Sequence, residues 1–169
     1  GISAFIIEKD FPGFSVAQKL VKMGFRGSQT GELVFDDCEV PVENMVGGEN
    51  EGVVITMSGL DLERATIAPI CLGMAERALE LTIEFAKTRE QFGKPIASFQ
   101  MIQSKIADMY VWVEAIKALN FKVLAEVNEL EVGEGGRGMV HANTAASIMY
   151  AANTLNRVLD EAVQVHGGA

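Results

Sequence analysis

The chain has 169 residues, 49% of them apolar and 22% charged, and its formal net charge is −9. This composition is typical of a folded globular domain and argues against disorder. The acidic balance is spread along the chain without a block of Lys or Arg, so we expect no nucleic-acid partner.

Hydropathy and the spacing of Cys and His residues argue against a membrane protein, a disulfide-bonded protein and a metal-binding protein. No uncharged apolar run reaches the roughly 18 residues needed to span a bilayer, so we expect no membrane span. Neither a signal peptide nor a starting Met is present, and the chain reads as part of a longer protein. Cys38 and Cys71 have no CxxC or nearby His pair, which predicts reduced thiols. His141 and His166 lack partners at metal-ligand spacing, so we expect structural roles for them and no metal site.

The segment up to about Pro41 reads as strands and turns. The β-prone run from Ala4 to Ile7 predicts a strand, followed by a turn at residues 11–13. GELVFDDCEVP, residues 31–41, predicts another strand with Leu33 and Phe35 on one face and Val34 opposite. The three glycines of MGFRGSQTG, residues 23–31, predict a loop between them.

After Gly52 the apolar period changes from two to about 3.6, which predicts helices. We expect the first over residues 61–87, with a kink or a new start at Pro69. Its predicted buried stripe comprises Ala65, Ala68, Leu72, Ala75, Leu79 and Ile83.

Two further helices are expected. Ser98 is the predicted cap of the second, which would run to the glycine-rich loop at 133–138. Its predicted stripe comprises Ile102, Ile106, Met109, Val113, Ile116 and Val123. The third is expected over residues 139–165. The predicted fold class is therefore α+β, a strand-rich half at residues 1–50 followed by an antiparallel helical bundle at residues 51–169.

Three segments carry residues suited to chemistry. In SGLDLERA, residues 58–65, Glu63 is either a surface carboxylate paired with a basic neighbour, or a carboxylate buried by its apolar surroundings, with its pKa raised toward that of a general base. Arg89 and Lys94 flank a turn and could clamp a phosphate, or could simply suit a solvated helix C-terminus. The glycines of QVHGGA, residues 164–169, permit close approach to a ligand or serve as a plain helix cap.

The ordered motifs MGFRGSQTGELVFDDCEVP, GLDLER, AKTREQFGKPIASFQ and QVHGG resemble those of the acyl-CoA dehydrogenases. The resemblance covers essentially the whole chain. Through EKDFPGFSVAQKL, MSGLDLER and REQFGKPI it is most similar to the isovaleryl-CoA branch. The family's full chain has an N-terminal helical domain, a middle β domain and a C-terminal helical domain, and this chain matches the end of the second and most of the third.

The resemblance also implies roles for individual residues. It places the catalytic base, which removes the substrate's α proton, at Glu63, and substrate contacts at Asp61, Leu62, Glu63 and Arg64. In most other branches the base lies in a loop that would follow Ala169. The residues expected to hold the FAD of a neighbouring subunit are Arg89, Phe92, Gln100, Gln164, Val165, His166, Gly167 and Gly168.

The implied partners are an acyl-CoA substrate, electron-transferring flavoprotein as acceptor, and further copies of the chain in a homotetramer. The implied location is the mitochondrial matrix in a eukaryote or the cytoplasm in a bacterium. One departure concerns specificity, because Val54 stands where the branch often has an aromatic residue. One alternative is a family member that prefers another acyl group, carries its base in the C-terminal loop or uses oxygen as electron acceptor. The other alternative is a non-catalytic helical assembly module.

Overall fold

Three long helices form most of the chain after residue 52. A computed structural model describes residues 1–130 and 136–168 and places α1 at Gly52–Thr88, α2 at Gln100–Asn128 and α3 at Gly138–His166. The predicted loop at 133–138 lies partly outside the described residues. Two compact units are distinguished, residues 1–55 and residues 56–169. None of the described helices is long and apolar enough to cross a membrane.

Side-chain contacts give the directions of the helices. Asn120 and Glu126 of α2 bond Ser147 and Asn143 of α3 respectively, so residue numbers rise along α2 as they fall along α3. Helices α1 and α3 run the same way, because they touch near their starts at Asp61 and His141 and near their ends at Phe85 and His166. The predicted antiparallel bundle is therefore confirmed as an up-down-up arrangement.

The bundle core is built from heptad-like stripes, as the apolar periodicity predicts. Eight of the buried positions of α1 form a stripe spaced alternately by four and three: Asp61, Ala65, Ala68, Leu72, Ala75, Leu79, Thr82 and Ala86. Cys71 is buried beside this stripe. Ile83, predicted to be on this stripe, is only partly buried beside it. The main apolar cluster comprises Ala68, Cys71, Leu72, Ala75, Leu79, Met109, Val113, Ile116, Ala151, Leu155, Val158 and Ala162.

Helix ends depart from the predictions in three places. Helix α1 begins nine residues earlier than predicted and continues through Pro69, so the predicted new start there is wrong. The proline removes one hydrogen bond of a 37-residue helix, and the continuous buried stripe holds the segment in place. Ser98 does not cap α2, because it lies in a 3₁₀ turn and Phe99 occupies the N-cap position without a side-chain bond. Helix α2 ends at Asn128, short of the predicted loop.

The first unit contains two short antiparallel sheets. Strand β1, Ala4–Phe5, pairs with β4, Met45–Val46, and β2, Phe14–Leu20, pairs with β3, Thr30–Phe35. Strands β1 and β3 agree with the predicted ones, whereas β2 was not predicted. A bulge between Val16 and Gln18 shifts the pairing, so that Leu20 lies on the face opposite Phe14 and the apolar alternation is interrupted.

Candidate functional site

A cleft of about 660 Å³ lies where α1 and α3 end and α2 begins. Its lining includes five of the eight residues predicted to contact FAD: Arg89, Phe92, Gln100, Val165 and His166. Segments separated by more than 60 positions in the sequence are thus brought together by the bundle. The other three predicted residues, Gln164, Gly167 and Gly168, lie at the same end of α3 but outside this lining.

The turn between α1 and α2 presents an aromatic ring at the cleft. Strands β5, Glu90–Gln91, and β6, Lys94–Pro95, form a hairpin with Phe92 and Gly93 at its tip. Both tip residues have positive φ, 55° and 79°, as in the type I′ turns that suit two-residue hairpins. This conformation is unfavourable for a phenylalanine, and the Phe92 ring is 93% exposed. Such an exposed ring is suited to contact a flat ligand.

The cationic side chains in and next to the cleft differ in their partners: Arg89 and Lys105 line it, whereas Lys94, on the same hairpin as Phe92, does not. Lys105 bonds Glu161, and Lys94 lies over the Phe99 ring, 4.6 Å from its centroid. Within residues 1–130 and 136–168, the Arg89 guanidinium forms no ion pair. Arg89 is therefore the cleft cation that can offer its planar fork to an anion.

His166 closes one side of the cleft. Its ring stacks on Phe85 with centroids 4.4 Å apart, and Nδ1 lies 2.8 Å from the carbonyl oxygen of Ala162. Since a carbonyl only accepts hydrogen bonds, the Nδ1 nitrogen carries the proton. Phe85, Phe99 and Lys105 also line the cleft and were not predicted. Phe85 precedes Arg89 by four residues, about one helical turn, and this spacing is the signal that could have found it.

Glu63 and Asp61 lie on opposite faces of α1. Asp61 is 1% exposed, whereas Glu63 is exposed to solvent. Of the two interpretations left open for Glu63, the surface carboxylate agrees with the structure and the buried carboxylate is wrong. Two residues of helix correspond to about 200° of rotation, which places Glu63 away from the stripe that contains Asp61 and Ala65. Leu62 is also exposed, at 58%. The carboxylate that the bundle buries is therefore that of Asp61.

The Asp61 carboxylate is held by residues at and before the start of α3. Oδ2 accepts a hydrogen bond from the backbone N–H of Gly136 at 2.5 Å, and Oδ1 lies 2.7 Å from His141 Nδ1 and 3.2 Å from Thr144 Oγ1. Arg64 Nη1 is 3.9 Å from Oδ1 and, in the described part of the chain, is buried without a hydrogen-bond partner. We call Asp61, Gly136, His141 and Thr144 the Asp61 network.

The Asp61 network makes stability depend on pH. Burial tends to raise the pKa of Asp61, but the hydrogen bonds from Gly136, His141 and Thr144 and the charge of His141 outweigh it and hold the pKa below its ordinary 3.8. A carboxylate with a depressed pKa contributes stability above about pH 4, and this contribution is lost as the pH falls through the folded-state pKa.

We therefore expect the melting temperature to fall more steeply below pH 4 in the wild type than in Asp61→Asn. The two proteins should differ most near neutral pH and converge in acid, as thermal melts between pH 3 and pH 7 would show. Asp108→Asn, an exposed aspartate of α2, controls for removing one negative charge. A constant difference between wild type and Asp61→Asn across this range would contradict the prediction.

Position 136 requires glycine because the backbone there passes close to Met57 of α1. The φ of Gly136 is +85°, and a Cβ built there would lie 2.7 Å from Met57 Cβ. At Gly138, where φ is +70°, a Cβ would meet nothing within 4 Å. We expect Gly136→Ala to lower the free energy of unfolding by about 2–5 kcal/mol and Gly138→Ala by about 1–2 kcal/mol, measured by denaturant titration. Equal losses would mean that the approach to Met57 adds nothing beyond backbone strain.

Glu63 and the cleft are far apart within one chain. The 22 residues from Glu63 to Phe85 span about 33 Å of helix. A general base must lie about 3 Å from the proton it removes. A group bound in the cleft is therefore too far away to give up a proton to Glu63 of the same chain.

Comparison with known proteins assigns the family. Residues 50–169 match the family described as acyl-CoA dehydrogenase, C-terminal domain. The mitochondrial isovaleryl-CoA dehydrogenase of Oryza sativa is 44% identical over 99% of this chain and 39% of its own length. The structure of butyryl-CoA dehydrogenase from Megasphaera elsdenii has a TM-score of 0.90 at 42% identity, and that of PigA with FAD and proline has 0.87 at 29%; each match covers 99% of this chain and 42% of the other.

The chain thus spans about two fifths of the length of the relatives it matches. The match to the domain family covers more than half of the chain, and it includes both the cleft and the Asp61 network. On this evidence the chain belongs to the acyl-CoA dehydrogenase family.

Proposed function

We propose that the chain is the later part of an FAD-dependent acyl-CoA dehydrogenase that converts a short branched acyl-CoA, of the isovaleryl-CoA type, to its enoyl-CoA. Residues 1–50 would complete the middle β domain and residues 51–169 would form most of the C-terminal helical domain. The observation that carries the proposal is the cleft at the end of the bundle, which unites Arg89, Phe92 and Gln100 with Val165 and His166.

The residues of the cleft fit part of a flavin dinucleotide. Its volume of about 660 Å³ falls within the range of small-molecule sites, roughly 300–1,000 Å³. Phe92 and Phe99 offer aromatic faces or edges, and Arg89 offers a fork that matches phosphate geometry. Gln100, at the first turn of α2, adds an amide, and the N-terminus of that helix favours negative charge. PigA, a structural relative, is known with FAD.

Glu63 is the proposed base. Its exposed carboxylate projects from the face of α1 opposite the core, where an acyl chain can reach it. Glu63 takes the α proton of the thioester, and the β hydrogen leaves with its electron pair. FAD, when bound, supplies the acceptor for that hydride. Exposed Leu62 would contribute apolar contact to the acyl group. Arg64, whose Nη1 is buried 3.9 Å from Asp61 Oδ1, lies between that face and the core.

The separation of about 33 Å between Glu63 and the cleft supports assembly from several copies. In our proposal the cleft of one subunit binds the FAD that serves Glu63 of its neighbour, within a homotetramer. Electron-transferring flavoprotein would accept the electrons. The location would be the mitochondrial matrix in a eukaryote or the cytoplasm in a bacterium, and the rice relative is named as mitochondrial.

Anaerobic titration of the full-length, FAD-containing protein with isovaleryl-CoA, butyryl-CoA and octanoyl-CoA tests the function. We expect the flavin absorbance to bleach fastest with isovaleryl-CoA. Faster bleaching with a linear acyl-CoA would favour another acyl preference, which the butyryl-CoA dehydrogenase relative makes the second candidate. A full-length protein without flavin absorbance would instead indicate a non-catalytic assembly module.

A further inference from the structure

Among the described residues, the Asp61 network connects the start of α1 with the start of α3 through three polar contacts. Asp61 is 1% exposed. Its partners lie just before α3 or in the first two turns of that helix: Gly136, His141 and Thr144. The apolar side chains that follow Asp61 on the buried stripe are small, Ala65 and Ala68. Alanines offer little surface to resist rotation of a helix about its axis, so the polar contacts of Asp61 help to fix the orientation of this part of α1.

The orientation of α1 decides where the Glu63 carboxylate lies. Helix side chains end about 5–6 Å from the axis, so a rotation of about 10° moves such an end by roughly 1 Å. A displacement of about 1 Å at a reacting group can cost about 100-fold in rate. Asp61 is two residues from Glu63, within one turn of helix. Its attachment to α3 therefore limits rotation of the helical turn that carries the Glu63 carboxylate.

His141 is the partner of Asp61 through which this attachment can be altered. Gly136 donates from its backbone, which a substitution does not remove. Thr144 has a single hydroxyl proton, and its oxygen is also 2.9 Å from the carbonyl oxygen of His141, so the proton is shared between two acceptors. His141 Nδ1 makes the shorter side-chain contact, at 2.7 Å. A carboxylate only accepts, so Nδ1 carries the proton in this contact.

We propose that His141, acting through Asp61, is a positioning residue that orients α1 so that the Glu63 carboxylate meets the α proton of the substrate. The inference rests on the proposed function, because it assumes that Glu63 is the base. In the proposed complex His141 itself touches neither substrate nor flavin. Its removal should therefore lower the rate at saturating substrate and change KM little.

The test compares His141→Ala, His141→Asn and Ser147→Ala in the full-length, FAD-containing protein. Asn keeps a donor near the position of Nδ1. Ser147→Ala is the matched control, because it breaks another buried bond of α3, to Asn120 at 2.7 Å, away from Glu63. We expect His141→Ala to slow flavin reduction by about 10- to 100-fold, His141→Asn to restore most of the rate, and Ser147→Ala to be near wild type.

Amide hydrogen exchange supplies a readout independent of activity. Peptides covering residues 56–68 should exchange faster in His141→Ala than in Ser147→Ala. Thr144→Val, which removes the longer side-chain bond to Asp61 together with the bond to the carbonyl oxygen of His141, gives a milder version of the same effect if His141→Ala does not fold. Equal flavin-reduction rates, or equal exchange of this segment, in His141→Ala and Ser147→Ala would overturn the inference, whereas a wild-type rate in Glu63→Gln would overturn the proposed function.

Discussion

Replacing Glu63 with glutamine in the full-length protein is expected to slow the reduction of bound flavin by isovaleryl-CoA about 10²- to 10⁴-fold. Glutamine has nearly the same shape as glutamate but cannot accept the α proton. The exposed position of Glu63 means that the change leaves the buried stripe of α1 untouched. Stopped-flow measurement of flavin bleaching under anaerobic conditions gives the rate directly.

Glu84→Gln is the control for this prediction. Glu84 is also exposed on α1, about six turns further along the helix, and lies outside the lining of the cleft. It should reduce flavin at the wild-type rate and melt at the wild-type temperature. A wild-type rate in Glu63→Gln would exclude Glu63 as the base and point to a carboxylate elsewhere in the full-length chain.

The second large effect is expected at Arg89. Removing a charge-assisted hydrogen bond costs about 1.5–3 kcal/mol, so Arg89→Leu should weaken FAD binding by about 10- to 150-fold. Arg89→Lys keeps the charge but loses the planar fork, and an intermediate loss is expected. The measurement is the dissociation constant of FAD from the full-length protein, followed by flavin fluorescence.

Arg77→Leu controls for the loss of one cation from α1. Arg77 forms an exposed ion pair with Glu80 at 3.0 Å, and pairs of this kind contribute little to stability. Its substitution should leave the FAD affinity unchanged. If Arg89→Leu binds FAD as tightly as Arg77→Leu does, the cleft residue does not hold the cofactor.

The helices could be predicted from sequence because the apolar period is long and regular. Leu72, Leu79, Met109, Val113 and Ile116 were assigned to buried stripes and are buried. The ends of the helices were less predictable, since they depend on single local bonds. A 3₁₀ turn before α2, rather than a side-chain cap at Ser98, sets where that helix begins.

The Asp61 network illustrates what a linear pattern misses. Extending the stripe backwards from Ala65 by four residues reaches Asp61, so the spacing already indicated which carboxylate is buried. Burial was instead considered for Glu63, as one of two interpretations, although Glu63 lies on the other face of the helix. The partner His141 is 80 positions away, and only the packing of α1 against α3 brings the two together.

The parts of the cleft differ in how far the sequence could predict them. Arg89, Phe92 and Gln100 flank one turn, so their proximity follows from the local sequence. Their meeting with Val165 and His166 depends on α1 and α3 ending at the same end of the bundle, which follows from three helices joined in an up-down-up order. The ring contact between Phe85 and His166 was not predictable from either segment alone.

Exchange of the substrate α proton tests the role of Glu63 most directly, because it isolates proton removal from hydride transfer. tert-Butylacetyl-CoA carries α hydrogens but no β hydrogen, so it can lose the proton without reducing the flavin. In deuterium oxide the full-length, FAD-containing wild type should incorporate deuterium at the α carbon, as measured by mass spectrometry, and Glu63→Gln should incorporate it at least 100-fold more slowly, roughly the smallest contribution expected of a general base. Equal incorporation by the two proteins would contradict the assignment of Glu63 as the base.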